Sequence, residues 1–256
     1  MLSKINKINN QQSKIEQIKP EKKEGFFKTF LWALLCATIL RSFFYEPFHI
    51  PSSSMYPNLL IGDYIFVNKY AYGYSRYSFP LGLNLFEGRI FKKSPQRGDI
   101  VVFRLPSQPS INYVKRLIGL PGDNIQMRDG SLFINDKEVI KNFDGEAIED
   151  EVTKKSLFQK YSEILPDGKK INIYHRENTP QDNTGIYIVP EGRYFFMGDN
   201  RDDSQDSRFL NFVGYVPEEN LVGKASIIFF SNPNSIFDLS AWLKTNRFER
   251  IGKKLN

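Results

Sequence analysis

Residues 100–135 read IVVFRLPSQPSINYVKRLIGLPGDNIQMRDGSLFIN, and this stretch decides the fold. Ile100–Arg104, Tyr113–Gly119, Asn124–Arg128 and Ser131–Asn135 are short runs of β-type residues, parted by Gly, Pro and Asn/Asp breaks. Asp129-Gly130, between the last two runs, is a hairpin-turn dipeptide. The same punctuation continues outward, with Tyr64–Lys69 upstream and Ile171–His175, Gly185–Val189, Arg193–Met197 and Lys224–Phe230 downstream. The absence of a strand–helix alternation argues against a parallel α/β sheet, and no internal repeat appears. The segment 137–184 is more polar and irregular, so 124–192 is expected to form an inserted smaller lobe. The expectation is a mainly β, antiparallel body over 46–256.

Ahead of that body stands FFKTFLWALLCATILRSFFY, residues 26–45. The uncharged stretch Thr29–Leu40 is short for a membrane span, but Lys28 and Arg41 can reach headgroups from either end. Counted as Phe26–Tyr45, the 20 residues give roughly 30 Å of helix. Arg-Ser-Phe-Phe-Tyr-Glu-Pro follows the apolar run, without the small residues of a signal-peptide cleavage site. The reading is an uncleaved transmembrane anchor, with residues 1–25 a lysine-rich tail. Positive residues precede the anchor, which places the N-terminus in the cytoplasm and the body outside. The seven aromatics of residues 70–91 are explained by core packing or by a rim that touches the membrane.

The formal charge is +6, yet residues 1–28 carry seven Lys and three Glu, leaving +2 for the rest of the chain. That concentration in the tail argues against a nucleic-acid-binding body. One cysteine excludes a disulfide framework, and one cysteine with two histidines excludes a Cys/His zinc site. No cofactor is expected.

There is no G-x-S-x-G, S-x-x-K, H-E-x-x-H, P-loop or G-x-G-x-x-G motif. A Ser-His-Asp triad would need His49 or His175, and both read as structural. Three polar blocks remain. Phe48–Leu59 holds three serines between Pro51 and Pro57, either a plain linker or a stiff turn presenting a hydroxyl. In Asn112–Asp123, strand alternation puts Tyr113, Lys115 and Leu117 on one face, opposite Val114, Arg116 and Ile118. Lys115 is then either an ordinary surface lysine or one held in apolar surroundings. Gly198–Arg208 is a dense polar loop, whose acids and arginines are expected to form internal ion pairs.

In order behind an apolar segment, these blocks resemble the bacterial type I signal peptidases, membrane-anchored Ser-Lys proteases. The resemblance rests on Pro51-Ser52-Ser53-Ser54-Met55, on Gly62-Asp63 before a strand, and on Arg97–Phe103. It also rests on the lysine block ending Gly119-Leu120-Pro121-Gly122-Asp123, and on Gly198-Asp199-Asn200-Arg201-Asp202 through Arg208. It covers the anchor and residues 46–69, 97–123 and 193–225, but not 70–96 or 124–192. One departure is Ser53, where the family usually has glycine; a serine there would be strained if positive φ were required.

The resemblance implies a catalytic domain of the type shared with self-cleaving Ser-Lys repressors. Ser54 is implied as nucleophile, Lys115 as general base, Ser52 as oxyanion donor and Ser204 as the hydroxyl orienting the amine. Phe48, Ile50, Leu59, Tyr113 and Val114 are implied as walls of shallow pockets. Asp199, Arg201, Asp206 and Arg208 are expected to shape the loop. An ordinary lysine is only about one part in a thousand neutral near pH 7.4, so Lys115 must lie in an apolar pocket without a carboxylate partner. The implied substrates are signal peptides of secreted preproteins, cut after a small-x-small motif, and the implied location is the outer face of the bacterial inner membrane. The lipid bilayer is the other partner, and the protein is expected to be a monomer. The repressors are soluble and carry a helix-turn-helix, where residues 1–45 here supply a lysine tail and an apolar segment. A non-catalytic anchored β-domain that binds exported proteins is the remaining alternative.

Overall fold

The computed structural model describes residues 23–79, 87–148, 157–176, 179–234 and 244–255. The lysine-rich tail up to residue 22 and the middle of the aromatic segment, 80–86, lie outside the described residues.

The first element is helix α1 (Lys23–Phe43). Its residues Gly25–Phe43 are long and apolar enough to cross a membrane, and Phe30, Leu31, Trp32, Leu34 and Leu35 are exposed. The helix stops two residues short of the expected Tyr45, which instead opens strand β1 (Tyr45–His49). Pro47 explains the break, since it cannot continue a helix and favours extended backbone before it.

The body, from residue 40 onward, is antiparallel β. In its main sheet β1 is followed by β2 (Asp63–Asn68), β16 (Leu221–Ser231), β5 (Ile100–Leu105), β6 (Gln108–Gly119), β14 (Arg193–Met197) and β15 (Val216–Pro217), in that spatial order. Three smaller sheets accompany it. β7 (Asn124–Arg128), β8 (Ser131–Ile134), β9 (Lys137–Glu138) and β13 (Tyr187–Ile188) form one. β10 (Ile140–Ile148), β11 (Leu157–Ile164) and β12 (Lys170–His175) form the second, and β3 (Tyr74–Ser75) pairs with β4 (Arg89–Ile90) in the third.

The continuous apolar run of β5 follows from burial on both faces. Ile100 and Val102 enter a core with Ile50, Met55, Leu59, Ile65 and Val67, while Val101, Phe103 and Leu105 enter another with Leu117, Tyr194 and Phe196. Asp129 and Gly130 join β7 to β8 with φ of 46° and 70°, the two left-handed residues of a type I′ turn. The sheets formed by residues 124–188 share a core with the main one, because Ile125, Leu132 and Ile171 pack with Ile118 of β6 and with Phe195 and Met197 of β14. Within the aromatic segment Tyr72 is buried in the core, whereas Tyr70 and Phe91 are exposed.

Candidate active site

Ser54 sits on the loop from β1 to β2. Its neck is closed by Ile50 N–H donating to Asp63 O and Gly62 N–H to Ile50 O. Met55, Tyr56 and Leu59 are buried and draw the far side of the loop into the body, so the serines are left on the cleft side. Behind them lies the loop after β14. Asn200 N–H donates to Ser54 O at 3.1 Å, and Asn200 Nδ2 donates to Ser53 O at 3.3 Å. Only glycine fits at 198, where a Cβ would stand 2.5 Å from Ser54 O and 2.2 Å from Ser204 Oγ. Ser53 is absent from the residues with positive φ, so serine replaces glycine there without backbone strain.

β6 delivers the second group. Lys115 is 4% exposed, its Nζ lies 2.6 Å from Ser54 Oγ, and the Tyr113 ring centroid is 5.2 Å away. Burial pushes the amine down to about 8, against a smaller upward pull from Asp206 and Asp199, with Arg208 adding a further downward push. No carboxylate is within ion-pairing distance of it among the described residues, and the reason is visible. Asp206 is claimed by Arg208, which donates to it through Nε and Nη2, and by Gly198 N–H at 3.0 Å. Asp199 is claimed by Arg116, from the opposite face of β6, in a two-pronged pair at 2.7 Å, and by Asn58 Nδ2. Burial by itself would raise the Asp206 carboxyl; Arg208 and Gly198 outweigh it and hold the group below its ordinary range. The two acids nearest the lysine are thus spoken for by arginine, and the amine remains desolvated and unpaired.

The expected internal pairing of the polar loop is met only by Asp206–Arg208. Asp199 reaches out to β6, and Arg201 pairs with Glu163 of β11 at 2.5 Å through two parallel bonds, so the loop is bolted to two sheets. Ser204 makes no bond to the amine. Its Oγ is buried without a hydrogen-bond partner, and Lys115 Nζ bonds Ser54 instead. The hydroxyl does help to keep Asp206 ionised, in a geometry short of a formed bond. Ser52 Oγ lies 3.3 Å from Ser54 Oγ, and the Ser54 N–H meets no acceptor among the described residues.

These groups stand in a cleft of ≈ 530 Å³. Phe48, Ile50, Tyr113 and Val114 line it, with Ser52, Ser54 and Lys115. Leu59 does not: it is fully buried among Ile50, Met55 and Ile65, four residues past Met55 on the inner side of the turn. Sequence reasoning missed Ile111, Asn112, Met55, Asp203 and Gln205, and took His49 as structural although it lies on the cleft wall. The His49 ring lies 4.8 Å from the Tyr64 ring, tilted by 46° to it, and makes no bond to Ser54. His175 is buried elsewhere, between Asp182 and Lys141. With Asp182 and Asp202 it forms a cluster of potential metal ligands, but Lys141, Thr179 and the Arg176 N–H already occupy those donors.

A hydroxyl touching a desolvated amine, in a cleft of a β body, is an arrangement that suits a serine peptidase working without histidine. The family model described as signal peptidase, peptidase S26, matches residues 23–230, and the chain belongs to that family. Signal peptidase I of Rickettsia typhi is 43% identical over 249 residues, covering 90% of this chain and 92% of the relative. Signal peptidase I of Rickettsia prowazekii is 42% identical with the same coverage. A solved signal peptidase I from Enterococcus faecalis is 30% identical, and the match covers 52% of this chain and 97% of that one with a TM-score of 0.30. Family membership together with the exposed apolar helix makes this a membrane-anchored enzyme.

Proposed function

We propose that this chain removes signal peptides from exported preproteins after a small-x-small motif, with Ser54 as nucleophile and Lys115 as general base. The observation that carries the reading is the 2.6 Å contact between Nζ and Oγ around a lysine whose amine sits at about 8. At pH 7.4 about one molecule in five then holds a neutral amine, against about one in a thousand for an ordinary lysine. The neutral Nζ takes the Ser54 proton as Oγ attacks the scissile carbonyl carbon. The Ser54 N–H and the Ser52 hydroxyl donate to the developing oxyanion, the kind of contact worth about 3–4 kcal/mol. The ammonium returns its proton to the departing amine, and a water activated by the same lysine releases the acyl-enzyme. Ser204 acts as a positioning residue for the amine by a small rotation of its unpartnered hydroxyl.

The substrate lies extended. β14 pairs with β6 only from Arg116 onward, which leaves Ile111–Lys115 with one unpaired edge, and β1 is the outer strand of its sheet. A peptide laid between these edges adds a strand, with backbone bonds for affinity and Phe48, Ile50, Tyr113 and Val114 closing around small side chains. The site is complete within one chain, so a monomer suffices. The body faces the outer side of the membrane, as the lysines ahead of α1 require.

The test uses full-length protein in detergent with a preprotein bearing an Ala-x-Ala site. Ser54→Ala and Lys115→Ala each abolish cleavage while thermal unfolding stays cooperative. Retained turnover in either folded variant overturns the dyad, and an inactive wild type would favour a binding domain.

A further inference from the structure

The sequence that leaves α1 passes a second, much smaller cleft, of ≈ 70 Å³, on the body and away from Ser54. Three cations from three elements meet there. Arg41 comes from the last turn of α1, Lys69 from the short helical turn after β2, and Arg104 from β5. Among the described residues Glu46 is the one carboxylate lining the cleft, accepting from Arg41 Nη2 at 3.0 Å and from Lys69 Nζ at 2.9 Å, while Lys69 Nζ also donates to Ser78 O at 2.6 Å. The cleft therefore holds two positive charges in excess. Their crowding is felt by Lys69, which is 2% exposed: burial lowers its pKa, Glu46 raises it, and Arg41 and Arg104 push it down again.

Arg104 is the least satisfied of the three. Its side chain has one long bond, 3.4 Å to Ser110 O, its Nε is buried without a partner, and its guanidinium stands 5.8 Å from the Tyr77 ring centroid. An arginine fork with unspent donors, an ammonium and a neighbouring Ser42 hydroxyl make a cradle for a tetrahedral oxyanion. The volume admits a phosphate group and little more. Its level in the chain points to the source. Arg41 and Ser42 directly follow the apolar run, Tyr45 and Tyr70 pair their hydroxyls at 3.1 Å, and Tyr74 OH donates to Phe43 O at 2.8 Å. Tyrosines gather in this way where a membrane protein crosses from hydrocarbon to headgroups.

We propose that the cleft of Arg41, Ser42, Lys69 and Arg104 binds the phosphate group of an anionic phospholipid. It neutralises the charge excess that Glu46 leaves and ties the body to the headgroup layer.

Full-length protein is reconstituted in nanodiscs of phosphatidylcholine and phosphatidylglycerol, extracted into mild detergent, and its retained lipids are counted by native mass spectrometry. Wild type keeps phosphatidylglycerol in preference to phosphatidylcholine. Arg104→Gln and Arg41→Gln each lower that preference about tenfold, the worth of one charge-assisted contact, while Arg76→Gln, outside the cleft, leaves it unchanged. In a second arm inorganic phosphate is titrated into lipid-free protein. Binding with the same Arg104 dependence but without lipid retention keeps the site and assigns a soluble source. Circular dichroism melts establish folding, and Arg41→Gln, with a side chain 66% exposed, carries the test if Arg104→Gln does not fold. Equal lipid retention by wild type and the folded variants, with no Arg104-dependent phosphate binding, overturns the proposal.

Discussion

Replacing Arg208 with methionine is expected to slow cleavage through a lysine that Arg208 does not contact. In the native site Arg208 holds the buried Asp206 carboxylate with bonds of 2.9 Å from Nε and Nη2. Its loss removes a positive charge that lowers the Lys115 pKa and exposes a negative one that raises it. At an effective dielectric of about 20, a unit charge at a separation on the order of 10 Å is worth about 1.7 kcal/mol by Coulomb's law, or about one pH unit. The amine then moves from about 8 to about 9. At pH 7.4 its neutral fraction falls from about one in five to about one in forty, so kcat/KM falls about eightfold, while at pH 10 the variant matches the wild type. The assay is kcat/KM for an Ala-x-Ala peptide across pH 6–10, at a temperature that allows for the roughly 3–5 kcal/mol lost with a broken buried pair. Arg208→Met with Asp206→Asn should restore the midpoint. A midpoint unmoved in Arg208→Met, with the rate lowered equally at every pH, would show that Arg208 does not tune the lysine and would leave it a purely structural residue.

The same desolvation implies a stability cost. Because the folded amine titrates near 8 and the unfolded one near 10.5, the unfolded chain binds more protons between those values, and stability rises with pH across that window. Lys115→Met should therefore be inactive yet more stable by up to about 3 kcal/mol near pH 7, read from urea unfolding, with the gain shrinking above pH 8. Ser53→Gly should retain activity and lose no more than about 1 kcal/mol, since Ser53 needs no left-handed backbone. Gly198→Ala should cut kcat at least tenfold with little change in KM, because its Cβ displaces the Ser54 carbonyl and Ser204; kinetics matching wild type would show that the loop yields freely.

The β body was legible because its strands are short, apolar and punctuated, and Asp129-Gly130 marks its own hairpin. β10 and β11 escaped notice because IKNFDGEAI and LFQKYSEI scatter charge among their apolar residues. β1 escaped notice because only its first residue, Tyr45, belongs to the apolar segment, and the following Glu46, Pro47 and His49 interrupt any β-type run. Ser54 and Lys115 were legible as blocks, and strand alternation put Lys115 beside Tyr113. What the sequence conceals is which acid belongs to which arginine. Arg116 and Asp199 lie 83 positions apart, and Arg201 and Glu163 lie 38 apart. Leu59 was misplaced because its block shows that it is apolar but not which side of the turn it takes. The orientation of the Ser204 hydroxyl is a rotamer choice, below anything a sequence resolves.

The Lys115 amine is held far below its ordinary range by dry surroundings that offer it no carboxylate partner. The most direct test is an NMR titration of ¹³Cε-lysine-labelled protein in detergent micelles, with the Lys115 resonance assigned by its absence in Lys115→Arg. A midpoint near 8 is the predicted result; a midpoint at the ordinary lysine value of about 10.4 would contradict it.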